Sequence, residues 1–284
     1  MAKRKPKQLK LDEVGYWSEI KLDIIRDYAH AYSTIFSAPG QRMFHHVYID
    51  AFAGAGIHIS KATGDVIEGS PLIAVSTQPP FKEYHFIDLD GTRVANLQKM
   101  FGNRPDIRIH HGDCNQVMLS DVLPRVRFKD YRRGLCLLDP YGLHLRWEVI
   151  RAIGQEPTID MFLNFPIADM NRNVFWRNPE GVAQDDIDRM NAFWGDSSWR
   201  TVTYKPVMTL FGPEDEKAAG NETIAHAFQE RLREVAGFKY VPEPMPMRNS
   251  KGTVVYYLFF ASPKPVAQDI VTQIFDKYKN RGAI

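Results

Sequence analysis

The 284-residue chain reads as an α/β protein built on an open, mainly parallel, doubly wound sheet. Three observations predict this class. Between residues 47 and 165, short apolar runs alternate with helical patterns, which is the rhythm of βαβ units. The run Leu135–Leu138 is apolar without alternation, as in strands that a parallel sheet buries on both faces. Four strand patterns end on acids (Asp50, Asp88, Asp113 and Asp139), each where the strand gives way to a turn. In open α/β sheets, ligands bind at the carboxyl ends of the strands.

Each element has its own justification. Residues 18–36 place apolar side chains at helical spacing, with Ser18 as the expected N-cap and Pro39-Gly40 as the stop. Strand one covers 47–52. The stretch 57–69 is polar and glycine-punctuated, so a loop is expected there. Ser70-Pro71 opens a helix, with serine at the N-cap and proline at the first helical position. Strand two (84–89), a helix (93–101), strand three (107–110), a short helix (117–122), strand four (135–138), a helix (146–153) and strand five (161–165) follow. After Pro166 the rhythm breaks. Residues 167–236 contain Trp176, Trp194 and Trp199, Pro-Glu-Gly and Gly-Pro punctuation and a helical pattern over 222–236. They read as a mostly helical insertion. Strands return at 238–241 and 254–261, before a last helix at 266–278. The domain plan is a flexible basic tail (1–15), a ligand-binding core (16–166), an insertion that recognises substrate (167–236), and the closing strands and helix of the core (237–284).

Composition excludes several classes. No run approaches the roughly 18 apolar residues of a membrane span, and the N-terminus has no apolar secretory core. No membrane partner is expected. Cys114 and Cys136 lie in or beside strand patterns and are expected as free thiols in a reducing, cytoplasmic setting. The net charge is +2 with five basic residues among the first ten, so the remainder carries −3. Such a body is not built to coat a polyanion, although the tail could touch one. Arg125-Val-Arg-Phe-Lys-Asp-Tyr-Arg-Arg133 is basic and aromatic, but it precedes strand four and is expected to be a solvated edge. The pairs His45-His46 and His110-His111 lack metal spacing, so no metal site is expected.

The strand ends carry the chemistry. The glycine turn 53–56 (Ala53-Gly54-Ala55-Gly56), with Phe52 before it as a further cofactor contact, is expected to leave backbone donors open and to let a ligand approach. Asp88, with Leu89 beside it, sits where an acid accepts hydrogen bonds from ribose hydroxyls. Asp113, followed by Cys114, can accept from an adenine amino group. A nicotinamide fingerprint needs G-x-G-x-x-G, but Ile59 occupies the third position and no helix pattern begins there. Asp50, the acid before the turn, suits a cofactor with a cationic centre, which points to S-adenosylmethionine (SAM). Asp139-Pro140-Tyr141-Gly142 would lie at the reactive end. Its carboxylate and proline carbonyl can accept two bonds from a planar amino group, and Tyr141 can stack on the attached ring. Each acid also has a plainer role open to it: Asp88, Asp90 and Asp113 as helix caps, and 139–142 as a type I turn.

Several motifs together carry a resemblance. These are Lys21-x-x-Ile24-x-x-x-Tyr28, the run Tyr48 to Gly56, Gly69-Ser70-Pro71-Leu72-Ile73-Ala74, Phe86 to Asp90, Leu138 to Gly142, Asn164-Phe165-Pro166 and Val254 to Ser262. On these residues the chain resembles class I SAM-dependent methyltransferases and, more narrowly, the three-Cys-motif partner family, TcmP. The resemblance implies a Rossmann-like, seven-stranded methyltransferase sheet with helices on both faces and a helical insertion after strand five. It implies SAM as cofactor and a three-cysteine, radical-SAM-like protein as partner. The glycine turn followed by Gly-Ser-Pro-Leu-Ile-Ala is similar to ribosomal RNA adenine-N6 methyltransferases, which carry Asp-Pro-Pro-Tyr after strand four. Asp-Pro-Tyr-Gly here is nearer the Asp-Pro-Phe-Gly of tRNA guanine-N2 dimethyltransferases. Both relatives methylate exocyclic amino groups, so nucleic acid is the expected acceptor. Asp139, Pro140, Tyr141 and Asn164 would then be catalytic, with Arg172, Trp176 and Arg177 facing the substrate. Two other functions stay open: a non-catalytic SAM-fold subunit, and a methyltransferase for a small molecule or protein.

Overall fold

The computed structural model describes residues 9, 11–41, 43–209, 212–279 and 281. The basic residues of the tail, Lys3, Arg4, Lys5, Lys7 and Lys10, lie outside them. The chain divides into two compact units, residues 1–137 and 138–279, apart from the last few residues.

The first unit begins with β1 (Glu13–Val14) and α1 (Tyr16–Ser37), then β2 (His45–Asp50), β3 (Ile57–Ser60), β4 (Val66–Glu68) and α2 (Ser70–Ser76). It continues with β5 (Glu83–Asp88), α3 (Gly91–Phe101), β6 (Ile107–His111), α4 (Cys114–Val117) and β7 (Arg132–Leu138). Strand β2 pairs in parallel with β5 and with β7, and β5 pairs in parallel with β6. Val47, Tyr48 and Ile49 of β2 are fully buried, which is why that run shows no alternation. An aromatic cluster beneath them joins Phe81 to Tyr32, Tyr48 and Tyr84.

Three local expectations are corrected here. The stretch 57–69 is not a loop: β3 and β4 form an antiparallel hairpin, and β1 adds to β3 in parallel. Strands of two to four residues on a small, separate sheet carry too little apolar pattern to announce themselves. The N-cap of α1 is Gly15 rather than Ser18, whose backbone N–H instead donates to the Gly15 carbonyl. The N-cap of α2 is Gly69 rather than Ser70. A Cβ at Gly69 would come 2.8 Å from the Gly56 carbonyl, so this close approach requires glycine.

The second unit contains α5 (Trp147–Gln155), β8 (Ile159–Phe165), α6 (Ile167–Asn173), α7 (Gln184–Trp194), α8 (Trp199–Thr203), β9 (Tyr204–Thr209) and β10 (Gly212–Lys217). It closes with α9 (Asn221–Glu234), β11 (Met245–Arg248), β12 (Val254–Ala261) and α10 (Pro265–Tyr278). Strand β12 runs antiparallel to β8 and to β11. The core centres on Phe228 of α9, whose ring lies 4.7 Å from Phe165, 5.3 Å from Trp194 and 5.5 Å from Phe259. The insertion is therefore not purely helical, because β9 and β10 form an antiparallel hairpin within it. The strand expected at 238–241 is replaced by β11 at 245–248. Tyr240 makes only an isolated bridge to Ser262.

The complete seven-stranded sheet has the order β11-β12-β8-β7-β2-β5-β6. In chain order its strands read 3-2-1-4-5-7-6 from the β6 edge, with strand seven antiparallel. This is the α/β sheet the sequence predicts. Among the described residues, no helix is long and apolar enough to cross a membrane.

Candidate functional site

In the first unit the glycine turn is fastened at four points. Ala53 N–H donates to the Ile87 carbonyl (2.9 Å) and Gly54 N–H to Asp88 Oδ2 (2.9 Å). Asn96 Nδ2 of α3 donates to the Ala55 carbonyl (2.8 Å), and Gly69 N–H to the Gly56 carbonyl (2.8 Å). Phe52 N–H is also used, by Asp50 Oδ1 at 3.2 Å. Of the donors expected to stay open at 53–56, those of Ala53 and Gly54 are thus spent on the protein, as buried N–H groups generally are.

The two glycines of the turn differ. Both have left-handed φ, +64° at Gly54 and +82° at Gly56. A Cβ on Gly54 would meet nothing nearer than His58 Cε1 at 3.9 Å. A Cβ on Gly56 would press on Leu97 Cδ2 at 3.2 Å. Space is therefore open beside Gly54, whereas Gly56 lets helix α3 pack close.

Asp88 ends β5 and is 7% exposed. Its Oδ1 accepts from Asp90 N–H at 2.8 Å, and Arg93 Nη1 stands 3.7 Å from its Oδ2. A carboxylate offers about four acceptor positions, so bonds from ribose hydroxyls remain available beside these. Asp90 is the N-cap of α3, accepting from Thr92 N–H at 2.7 Å. Asp113 caps α4, accepting from Asn115 N–H at 2.8 Å, yet its side chain stays exposed. Leu89 is 73% exposed, an unusual position for leucine at a strand end and a ready face for a flat ring. Asp50 is fully buried. Cys114 and Cys136 are buried free thiols. Burial, then the charge of Asp50, pushes the Cys136 thiol well above its ordinary range.

In the second unit Asn164 Nδ2, near the end of β8, donates to Asp139 Oδ1 at 2.9 Å. With Nδ2 committed to that bond, Asn164 Oδ1 is buried with no hydrogen-bond partner among the described residues. Pro140 is buried, and Tyr141 is 60% exposed. A Cβ on Gly142 would come 2.9 Å from Asp169 Oδ2, so that carboxylate would have to swing aside. Asp169, in the first turn of α6, was not anticipated. Its signal was only its place three residues after Pro166. Its Oδ1 accepts from Asn173 Nδ2 at 3.0 Å.

The three residues expected to face substrate lie at the surface. Trp176 Nε1 donates to the Arg172 carbonyl at 2.8 Å, leaving its ring 44% exposed. Arg177 pairs with Glu216 of β10 at 2.7 Å. Arg172 itself is exposed.

No protein-family model matches the sequence, and no curated protein is similar to it. Solved structures do resemble the fold. Protein LPL1258 from Legionella pneumophila is 14% identical, with 92% of this chain and 93% of that one covered and a TM-score of 0.50. A candidate methyltransferase from Thermobifida fusca is 12% identical over 87% and 79% of the two chains, with a TM-score of 0.42. These likenesses are of fold, and the functional reading stands on the residues.

Proposed function

We propose that the protein transfers a methyl group from SAM to an amino nitrogen, that of a nucleic-acid base. The observation that carries the reading is Asn164. A buried amide oxygen without a partner is costly, and Asn164 Oδ1 is held in that state by the bond from its own Nδ2 to Asp139. It is a prepared acceptor for an N–H group. Together with the Asp139 carboxylate to which Asn164 is bonded, and the carbonyl of the next residue, Pro140, it would give an all-acceptor set, which suits a planar amine and not a phosphate. Tyr141, with its exposed ring, supplies a stacking face for the base.

The donor side is supported by the first unit. Gly54 leaves room beside the turn, Asp88 retains acceptor capacity for ribose hydroxyls, Leu89 offers an apolar face to adenine, and Asp113 can accept from its amino group. The buried charge of Asp50 favours a cationic ligand nearby. When bound, SAM supplies a methyl group on a positively charged sulfur. The protein's own part is orientation: Asp139 and Asn164 hold the amine so that its lone pair is directed, and the Asp139 carboxylate takes the proton that the nitrogen sheds. Such positioning needs no covalent attack.

The test is calorimetric titration of the whole chain with SAM, S-adenosylhomocysteine and NAD, followed by methyl transfer from radiolabelled SAM to RNA, DNA and protein fractions. Binding of the first two ligands, no binding of NAD and labelled nucleic acid are expected. SAM binding without transfer to any fraction would favour a non-catalytic subunit, with the three-cysteine protein of the TcmP resemblance as its partner.

A further inference from the structure

The segment 125–133 was expected to be a solvated edge, but its arrangement does more than face water. It carries five basic residues and one acid. The carboxylates of Asp106, Asp186, Asp196 and Glu230 pair with Arg104, Arg189, Arg231 and Arg233. Arg125, Arg127 and Lys129, in contrast, are exposed and make no ion pair among the described residues. Val126 and Leu123, both buried, anchor the segment so that these charges project from a fixed base.

The aromatics are also arranged. Arg133 is sandwiched, its guanidinium carbon 4.4 Å from the Phe44 ring centroid and 4.7 Å from that of Phe128. Phe128 and Tyr131 remain 52% and 57% exposed. Tyr131 lies 6.3 Å from Phe44. It is the one described non-glycine residue with a left-handed backbone, at φ 55°. That conformation is disfavoured for tyrosine, yet it is pinned on both sides. Tyr131 N–H donates to the Phe128 carbonyl at 3.1 Å, and its own carbonyl accepts from His45 N–H at 3.0 Å. The backbone is thus held in a costly state that displays a flat ring beside unpaired cations.

We propose that this surface binds single-stranded nucleic acid, with Tyr131 and Phe128 stacking on bases and Arg125, Arg127 and Lys129 pairing with phosphates. An acidic polypeptide would satisfy the cations but leave the ring faces idle. A duplex would hide its bases from them. The surface lies at the amino ends of β2 and β7. That is the opposite end of β2 from the glycine turn, about 20 Å away at some 3.3 Å per residue. It is therefore a separate anchor for a strand, and it stands whether or not the methyl-transfer reading does.

The test is fluorescence anisotropy of a labelled 20-nucleotide oligouridine with the full chain, without SAM, from low to moderate salt. The parent should bind. Arg125→Ser/Arg127→Ser/Lys129→Ser should weaken binding at least tenfold and reduce the salt slope by about 2, at roughly 0.7 per phosphate contact on a single strand. Tyr131→Asn tolerates the left-handed backbone and should weaken binding roughly tenfold with the slope unchanged. A matched DNA strand that binds comparably supports the same assignment to single strands. Parent-like binding by the triple variant, or by Tyr131→Asn with an unchanged melting curve, overturns the proposal. So does equal affinity for a duplex, or full displacement by polyglutamate at matched charge.

Discussion

Replacing Asp88 by alanine tests stability and ligand binding at once. Its carboxylate accepts from Gly54 N–H and Asp90 N–H, and its side chain is 6% exposed, so water replaces it poorly. Hydrogen bonds to a charged group contribute about 1.5–3 kcal/mol each, less whatever solvent recovers. A net loss of ~2–4 kcal/mol follows, and at about 2 °C per kcal/mol for a chain of this length Tm should fall by ~4–8 °C. For the parent, SAM at a hundred times its Kd should add ~2.7 kcal/mol, a rise of ~5 °C. Asp88→Ala should lose most of that rise. Asp88→Asn keeps one acceptor but turns an NH2 group towards a donor, so it should fall between the two in both readings. Asp90→Ala removes only a cap, about 1 kcal/mol, and should keep the full SAM shift. Scanning fluorimetry with and without SAM reads all four proteins. A Tm for Asp88→Ala within 1 °C of the parent refutes the fastening role. A full SAM shift in that variant refutes the ribose assignment and passes it to Asp90.

Three further outcomes are expected. Asp139→Ala should keep SAM affinity within a few-fold while losing methyl transfer; joint loss of SAM binding and folding would show that 139–142 is only a turn. Gly56→Ala, with φ +82° and Leu97 at 3.2 Å, should lower stability by ~1–3 kcal/mol, whereas Gly54→Ala should lower it less but abolish the SAM shift in the same scan. Burial, then repulsion from Lys82, lowers the pKa of His46 to about 4; burial, then the neighbouring His85, does the same for His110. Both titrate near 6.5 when unfolded, so the unfolded chain binds more protons between these values. Stability should therefore be level above pH about 6.5 and decline as pH falls towards 4. His110→Asn should flatten that decline, and a Tm unchanged from pH 7 to 4.5 would show that these rings are not buried neutral.

What the sequence made legible follows from burial. Strands β2, β5, β7 and β8 are covered on both faces, so each holds an apolar stretch without alternation (Val47–Ile49, Phe86–Ile87, Leu135–Leu138, Met161–Leu163) that stands out from the helices between them. β11 is hard to read because Pro242 and Pro244 precede it and Pro246 lies within it. Its real pattern is period two, with Met245 and Met247 buried and Pro246 and Arg248 exposed. A proline is tolerated on an edge strand, where its missing N–H faces no partner. The apolar run at 238–241 competed for the assignment because Phe238 and Val241 are buried without belonging to a ladder. The hairpin β9–β10 was hidden for the opposite reason, since Glu214, Asp215 and Glu216 give it no apolar face to read.

The site was legible in residue type and less so in role. The acids at the strand ends were found, but their geometry separates them into capping and acceptor groups. Asp90 and Asp113 take the caps. Asp88 is shared between the turn and the space beside Gly54. Asp139 is tied to Asn164 rather than to a helix end. This division could not be read from spacing, because every Asp that ends a strand also precedes a helix or turn whose N–H groups need an acceptor. The substrate-facing triplet shows the same limit. Trp176 and Arg177 were chosen for a stacking face and a cation. In the fold the indole N–H is spent on Arg172 and the guanidinium on Glu216. The Trp176 ring face and the exposed Arg172 side chain are what remain to meet an acceptor. Trp176→Leu should therefore weaken substrate binding, seen as a raised KM with kcat preserved. Arg177→Ala should change neither, because its pair is exposed and worth at most about 1 kcal/mol. A KM that rises on Arg177→Ala and not on Trp176→Leu would show that the charge, not the ring, meets the substrate.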